Sequence, residues 1–258
     1  MRAGAAAGDE IVRGDDDAQA AALEDRRPGR PADREQSRGA RGDGGGAAQV
    51  ATVAAVRAAG LVAIGGPAGP AVLVHGGLRI VVTAHDLVAG RGAGPHPALA
   101  VGLDATALAA ELAAARAQGD VLVATFHVTS PPSYLPPVEA VTAVALARAA
   151  GAAVIVVHGS HALARVERSA TTVTAWGLGN LLFACACTDE DDGLILRVTV
   201  GKRGLVDAEV IPVAAGLRGA PAGPAAEPTL SYELLAALRS TPLAAAGPRA
   251  RLLIPDDD

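Results

Sequence analysis

The sequence predicts an α/β fold, a layered sandwich built around a mixed sheet. The main observation is a β-α-β unit, in which apolar strands at 121–126 and 153–157 flank a helix at 138–150. Both strands are apolar on both faces, which is typical of parallel strands that other layers cover. Glycine-centred turns at 76–77 and 201–204 each lie between apolar runs and predict hairpins, so antiparallel strands join the parallel pair.

The other elements follow in chain order. Residues 48–59 suit a short helix that Gly60 ends, and residues 71–83 predict two strands joined by the first glycine turn. Residues 104–118 predict a second helix with Asp104 as its N-cap. The remaining predicted elements are a strand at 171–175, hairpin strands at 194–200 and 205–213, and a final helix at 232–239.

Composition divides the 258 residues into three parts. Residues 1–46 hold 18 of the 49 charged side chains and almost no large apolar ones, so burial cannot offset the entropy lost on ordering. We therefore expect a disordered or degenerate N-terminal segment at 1–46. Residues 47–213 are predicted to form the α/β domain, and residues 214–258 a Pro/Gly/Ala linker, a C-terminal helix and an acidic tail.

Charge and hydropathy exclude several classes of protein. The net charge is −5 and no Lys/Arg cluster contains interleaved aromatic residues, so no nucleic-acid partner is expected. No apolar run reaches the ~18 residues of a membrane helix, and the N-terminus lacks the apolar segment of a signal peptide. Cys185 and Cys187 are too few for a disulfide framework, and we interpret them as small buried hydrophobic residues.

Three of the six histidines follow predicted neighbouring strands. His127 ends the first strand of the β-α-β unit, and His158 and His161 follow the second as His-Gly-Ser-His. Ligands bind beyond the carboxyl ends of parallel strands, and imidazole is the commonest side-chain ligand for metals such as zinc. The pattern indicates a metal site, although two turn histidines with satisfied hydrogen bonds remain an alternative for His158 and His161.

The other histidines are interpreted as surface residues. His75 lies at the first hairpin turn and His96 in a Gly/Pro loop, so both are expected to be solvated. His85 and Asp86 end the strand after that turn. They could support a site as a pair, but a surface loop is the favoured interpretation.

The order of motifs resembles the bacterial CapA/PgsA family of capsule-synthesis and poly-γ-glutamate-synthesis proteins, which have a calcineurin-like metallophosphoesterase fold. The resemblance covers about residues 47–240 and is carried by four segments, DVLVATFHVTSPPSYLPP, GAAVIVVHGSHALARVE, TVTAWGLGNLLF and DGLILRVTVGKRGLVDAEVIPV. His127 matches the family's first histidine, and His158 and His161 match the ends of its His-His-Pro-His turn. Glu167 matches the acid after that turn, and Asn180 matches the asparagine of the Leu-Gly-Asn strand.

The resemblance implies a site that holds one or two divalent ions of Mn, Zn, Fe or Mg. The implied metal ligands are His127, His158, His161 and, from a Gly-Asp motif, Asp9. Glu167 and Asn180 would orient these ligands. Several departures accompany the match: the family's Asn-Leu-Glu and Asn-Asn-His segments are absent, and its central His-Pro is Gly159-Ser160. The implied fold is therefore metallophosphoesterase-like and incomplete at its N-terminus.

These matches imply a metal-dependent hydrolase or transferase that acts on phosphoester or related bonds. The alternatives are a non-catalytic member that assists capsule polymer assembly or export, and a truncated remnant. The implied partners are an anionic capsule polymer or its precursor and other capsule-synthesis proteins, with local polymer contacts at Arg165, Arg168 and Arg197. Family members are commonly membrane-associated or exported, but no signal or anchor is recognised here, so the compartment stays open.

Overall fold

The computed structural model describes residues 45–87, 104–128, 133–183, 192–218 and 220–254. Several residues that the sequence singles out lie outside these ranges, namely Asp9, His96, Cys185, Cys187 and the acidic tail. The described residues form two main sheets, four α-helices and a short 3-10 helix, Gly66–Ala68. None of these helices is long and apolar enough to cross a membrane.

The first sheet has six strands in the order β1-β2-β3-β4-β6-β5. Strands β2, β3, β4 and β6 are parallel, whereas β1 and β5 are antiparallel strands at the two edges. The predicted mixed sheet is therefore confirmed. The strand bounds are Ala71–His75, Leu78–Asp86, Val121–His127, Val154–His158, Val166–Arg168 and Val173–Ala175, for β1 to β6 in order.

Four α-helices accompany the sheets, namely α1 Gly45–Ala58, α2 Ala105–Arg116, α3 Val138–Ala149 and α4 Pro228–Ala237. The predicted cap of α2 is present, because the Asp104 side chain accepts a hydrogen bond of 2.9 Å from the Ala107 amide. Helix α4 begins before the predicted range of 232–239, because Pro228 occupies its first turn. A helix-side core, which includes Leu112, Phe126 and Val144, lies between α2, α3 and the first sheet.

The second sheet covers the other face of the first. Its strands are β8 Asp192–Gly201, β9 Gly204–Ala214, β11 Gly223–Pro224, β12 Leu243–Ala246 and β13 Arg249–Leu252, and a small parallel pair joins β7 Leu182–Phe183 to β10 Gly216–Leu217. An inter-sheet core, which includes Val166, Val210, Leu235 and Leu252, fills the space between the sheets and α4. The sequences of β12 and β13 contain no β-branched or aromatic residue, so their composition does not indicate strands.

Arg168 joins the two sheets. Its side chain is only 4% exposed, and its guanidinium donates hydrogen bonds to Asp207 Oδ1 at 2.9 Å and to the carbonyl oxygens of Leu252 at 2.6 Å and Val206 at 3.0 Å. Strand β5 of the first sheet is thereby bonded to β9 and β13 of the second sheet. The expectation that Arg168 contacts a polymer is wrong, because the side chain is buried and both of its terminal nitrogens donate hydrogen bonds within the protein.

We expect Arg168→Ala to lower the free energy of unfolding by about 3 kcal/mol, because it leaves buried acceptors without their donor. Urea unfolding followed by circular dichroism measures this change. The matched control is Arg197→Ala, since Arg197 pairs with Glu209 but its side chain is 51% exposed. This control should change stability by less than about 1 kcal/mol. Equal effects of the two substitutions would contradict the assigned role of Arg168.

His85 belongs to the helix-side core. Its side chain is 8% exposed, and its ring stacks on Phe126 with the ring centroids 5.6 Å apart. Nδ1 lies 3.6 Å from Glu111 Oε2, whereas Nε2 has no hydrogen-bond partner among the described residues. Burial lowers the pKa of His85 below 6.5, and the charge of Glu111 opposes this only in part. The interpretation of His85 as a surface-loop residue is therefore wrong.

We expect His85 to make the protein less stable in mild acid. The pKa of this imidazole is lower in the folded than in the unfolded chain, so the unfolded chain binds the proton more readily. The stability that neutral His85 provides is present above pH ~6.5 and is lost as the pH falls through that value. The free energy of unfolding between pH 7.5 and 5 should therefore fall less in His85→Phe than in the wild type. The same substitution at exposed His75 is the control, and identical pH profiles for His85→Phe and the wild type would refute this expectation.

Candidate functional site at the carboxyl edge of the first sheet

Three polar residues end three neighbouring parallel strands. Asp86 of β2 pairs in register with His127 of β3, and His127 pairs with His158 of β4. We call these three residues the edge row. Side chains alternate between the faces of a strand, so the edge row shares its face with Val123 and Val156, which pack against the inter-sheet core. The site therefore lies at the carboxyl edge of the sheet, on the face opposite α2 and α3.

Asp86 contacts His127 directly. Asp86 Oδ1 lies 3.1 Å from His127 Nδ1, and the exposed fractions of the His127 and Asp86 side chains are 42% and 65%. Asp86 therefore belongs to the end of a strand and to the site, and its interpretation as a surface-loop residue is wrong. Sequence reasoning missed this contact because the partners are 41 residues apart and meet only through strand register.

His158 lies beside His127, with the two ring centroids 5.3 Å apart. Burial lowers the pKa of His158, the neighbouring His127 lowers it further, and the charge of Asp86 acts in the opposite direction. The neutral imidazole is therefore favoured. In this form one ring nitrogen keeps a lone pair that can accept a proton or bind a cation.

His161 belongs to a separate contact with Asn180. His161 Nδ1 lies 2.9 Å from Asn180 Oδ1, and the His161 ring packs against Phe183 with the centroids 4.6 Å apart. Asn180 is buried, and its amide nitrogen donates a longer bond of 3.4 Å to the His161 carbonyl oxygen. Asn180 thus fixes the ring and the backbone of His161, which has a left-handed φ of 58°.

Glu167 lies on the opposite face of the first sheet from the edge row. Its carboxylate accepts hydrogen bonds from Arg148 of α3 at 2.6 Å and from Trp176 of the helix-side core at 2.9 Å. Its Oε1 lies 2.9 Å from Arg165 Nε. Burial alone raises the pKa of Glu167, but the hydrogen bonds from Trp176 and Arg148 and the charges of both arginines outweigh it and lower the pKa. The structure therefore places Glu167 in an ion-pair cluster between β5, β6 and α3.

The described residues do not assemble a complete metal-ligand set. Among them, no group of three or more His, Cys, Asp or Glu side chains lies close enough together to hold a metal ion. His127 and His158 provide two adjacent imidazoles, whereas His161 does not lie close enough to both of them to complete a group of three, and Asp9 lies outside the described ranges. Because three or more protein ligands are typical of zinc sites, these residues alone do not fit the implied cluster. The edge row is instead a pair of imidazoles supported by one carboxylate, which is an arrangement suited to proton transfer.

Comparison with protein-family models matches residues 42–185 to the family described as bacterial capsule synthesis protein PGA_cap. A search of the curated proteins gave no match. The matched segment covers more than half of the 258 residues and includes the edge row, His161 and Asn180. The motif order that resembles the CapA/PgsA family and this match agree, and the chain belongs to the bacterial capsule synthesis protein family.

Proposed function

We propose that the protein acts in the synthesis of an anionic capsule polymer of the poly-γ-glutamate type, with the edge row as its functional site. The observation that carries this proposal is the in-register row of Asp86, His127 and His158 within the family-matched segment. The carboxyl edge of parallel strands is where α/β sheets bind their ligands. Two imidazoles at this edge supply proton-transfer groups for a bound substrate.

The proposed activity is hydrolysis or group transfer at a phosphoester or related bond of the polymer or its precursor. His127, supported by Asp86, would move a proton to or from the reacting group. We also propose one divalent ion as a cofactor, with His127 and His158 among its ligands. Since these two imidazoles fall short of a full ligand set, the role assigned here to His127 is proton transfer and does not depend on the ion.

The second candidate is a non-catalytic role in polymer assembly or export, together with other capsule-synthesis proteins. Gly159 and Ser160 favour it, because they stand where the resembled family has His-Pro and so remove one imidazole from the turn. The arginines offer less support, since Arg165 pairs with Glu167 and Arg197 pairs with Glu209. Polymer recognition in this candidate would therefore need groups other than these arginines.

Metal analysis tests the proposed cofactor. The purified protein, incubated with Mn²⁺ or Zn²⁺ and desalted, should retain about one equivalent by elemental analysis, because the two adjacent imidazoles of the edge row would share a single ion. His127→Ala/His158→Ala should abolish this retention, and His75→Ala, which alters an exposed histidine on β1, should not. A folded wild type that retains no metal would make the cofactor proposal wrong.

Turnover tests the proposed activity independently of the metal result. The wild type should cleave a nitrophenyl phosphomonoester or a nitrophenyl phosphodiester, and His127→Gln should reduce kcat by about 10²–10⁴-fold, because it removes the proton-transfer group. The control variant is His75→Gln, which alters an exposed histidine on β1. If the wild type binds the polymer without cleaving either substrate, and His127→Gln binds it equally well, the hydrolase proposal fails and the assembly role is favoured.

A further inference from the structure

Gly159 lies directly against the ring of His127. It follows β4 with a φ of +101°, a conformation that residues with side chains rarely adopt. A Cβ atom at this position would lie 2.7 Å from His127 Cδ2 and 2.8 Å from His127 Nε2, and it would overlap the carbonyl oxygen of Val128. The imidazole of His127 therefore occupies space that any side chain at position 159 would need.

Asp86 holds the other nitrogen of the same ring. An ionised carboxylate has no proton to donate, so the contact between Asp86 Oδ1 and His127 Nδ1 at 3.1 Å requires the hydrogen to be on Nδ1. In a neutral imidazole the other nitrogen then carries the lone pair. A carboxylate that fixes the tautomer of a histidine in this way also fixes the orientation of its ring.

We infer that Gly159 and Asp86 are positioning residues for His127. Gly159 leaves the space in which the imidazole lies beside β4, and Asp86 keeps it as the Nδ1–H tautomer. Nε2 is then the nitrogen that accepts a proton or binds a cation. The importance of this nitrogen for chemistry rests on the proposed function, whereas the position and tautomer of the ring are properties of the protein alone.

NMR of the histidine side chains tests the tautomer. Long-range ¹H–¹⁵N correlations are recorded on the full chain without added metal, and His127→Gln identifies the His127 signals. The wild type should show the Nδ1–H tautomer. Asp86→Ala should abolish this preference, and Asp86→Asn should weaken or reverse it, because the amide nitrogen of asparagine can donate a hydrogen bond to an unprotonated Nδ1. A wild-type Nε2–H tautomer, or an unchanged spectrum in Asp86→Ala, would overturn the inference.

A matched pair of glycine substitutions tests the role of Gly159. Gly204 in the β8–β9 turn has a φ of +102°, and a Cβ atom there would have nothing within 4 Å. Gly159→Ala and Gly204→Ala therefore impose similar backbone strain, but only Gly159→Ala displaces His127. We expect the His127 signals to shift and its tautomer preference to fall in Gly159→Ala alone. Unchanged His127 signals in a folded Gly159→Ala variant would refute the inference.

The inference and the proposed function fail in different ways. If Gly159→Ala does not fold, Asp86→Ala still tests whether the tautomer of His127 is fixed from outside the ring. This variant should fold, because the Asp86 side chain is 65% exposed and its loss leaves no cavity in either core. If the protein neither binds metal nor turns over substrate while His127 keeps the Nδ1–H tautomer, the proposed function fails and the positioning roles stand. If turnover is present but the tautomer is Nε2–H, the positioning roles are wrong.

Discussion

The parallel register of β2, β3 and β4 is the constraint on which the site depends. The register that places Asp86, His127 and His158 side by side also directs the alternate residues of the same strands, Phe126 and Val157 among them, into the helix-side core. A slip of one residue in any strand would turn its polar end into this core and expose an apolar side chain. Packing of the apolar face therefore fixes the edge row, although none of its members belongs to either core.

The second sheet approaches the site through a contact between two glycines. Gly179 and Gly193 form an isolated antiparallel bridge, where a Cβ on Gly179 would overlap the Asp192 carbonyl oxygen and a Cβ on Gly193 that of Asn180. Only residues without side chains allow the backbones to come this close. The bridge therefore sets the position of Asn180, and Asn180 in turn orients His161. The edge row depends on the first sheet alone, whereas His161 depends on the contact between the segment after β6 and strand β8 of the second sheet.

Sequence reasoning located the elements whose signals are local. The hairpin at 71–83, the Asp104 cap and the β-α-β unit agree with the structure to within a few residues, because turn glycines, a capping carboxylate and long apolar runs are readable over short windows. The short strand β5 has no such signal, and it is the strand that carries Glu167. Side chains alternate along β5, and because Val166 and Arg168 face the second sheet, Glu167 faces α3 rather than the histidines. The adjacent residues His85 and Asp86 show the same limit of sequence reasoning. His85 packs in the helix-side core, whereas Asp86 lies in the edge row.

Gly159 has opposite consequences for metal binding and for proton transfer at the carboxyl edge of the first sheet. A histidine at this position would add a metal ligand, but its Cβ would overlap the ring of His127 as this structure places it. The arrangement with Asp86 on Nδ1 and the ring beside Gly159 therefore excludes a side chain at position 159. In this chain the carboxyl edge has a glycine instead of an imidazole at position 159, and the ring of His127 is held at a fixed angle and in a fixed tautomer. The glycine at position 159 thereby reduces the number of available metal ligands and favours a site in which His127 itself transfers the proton.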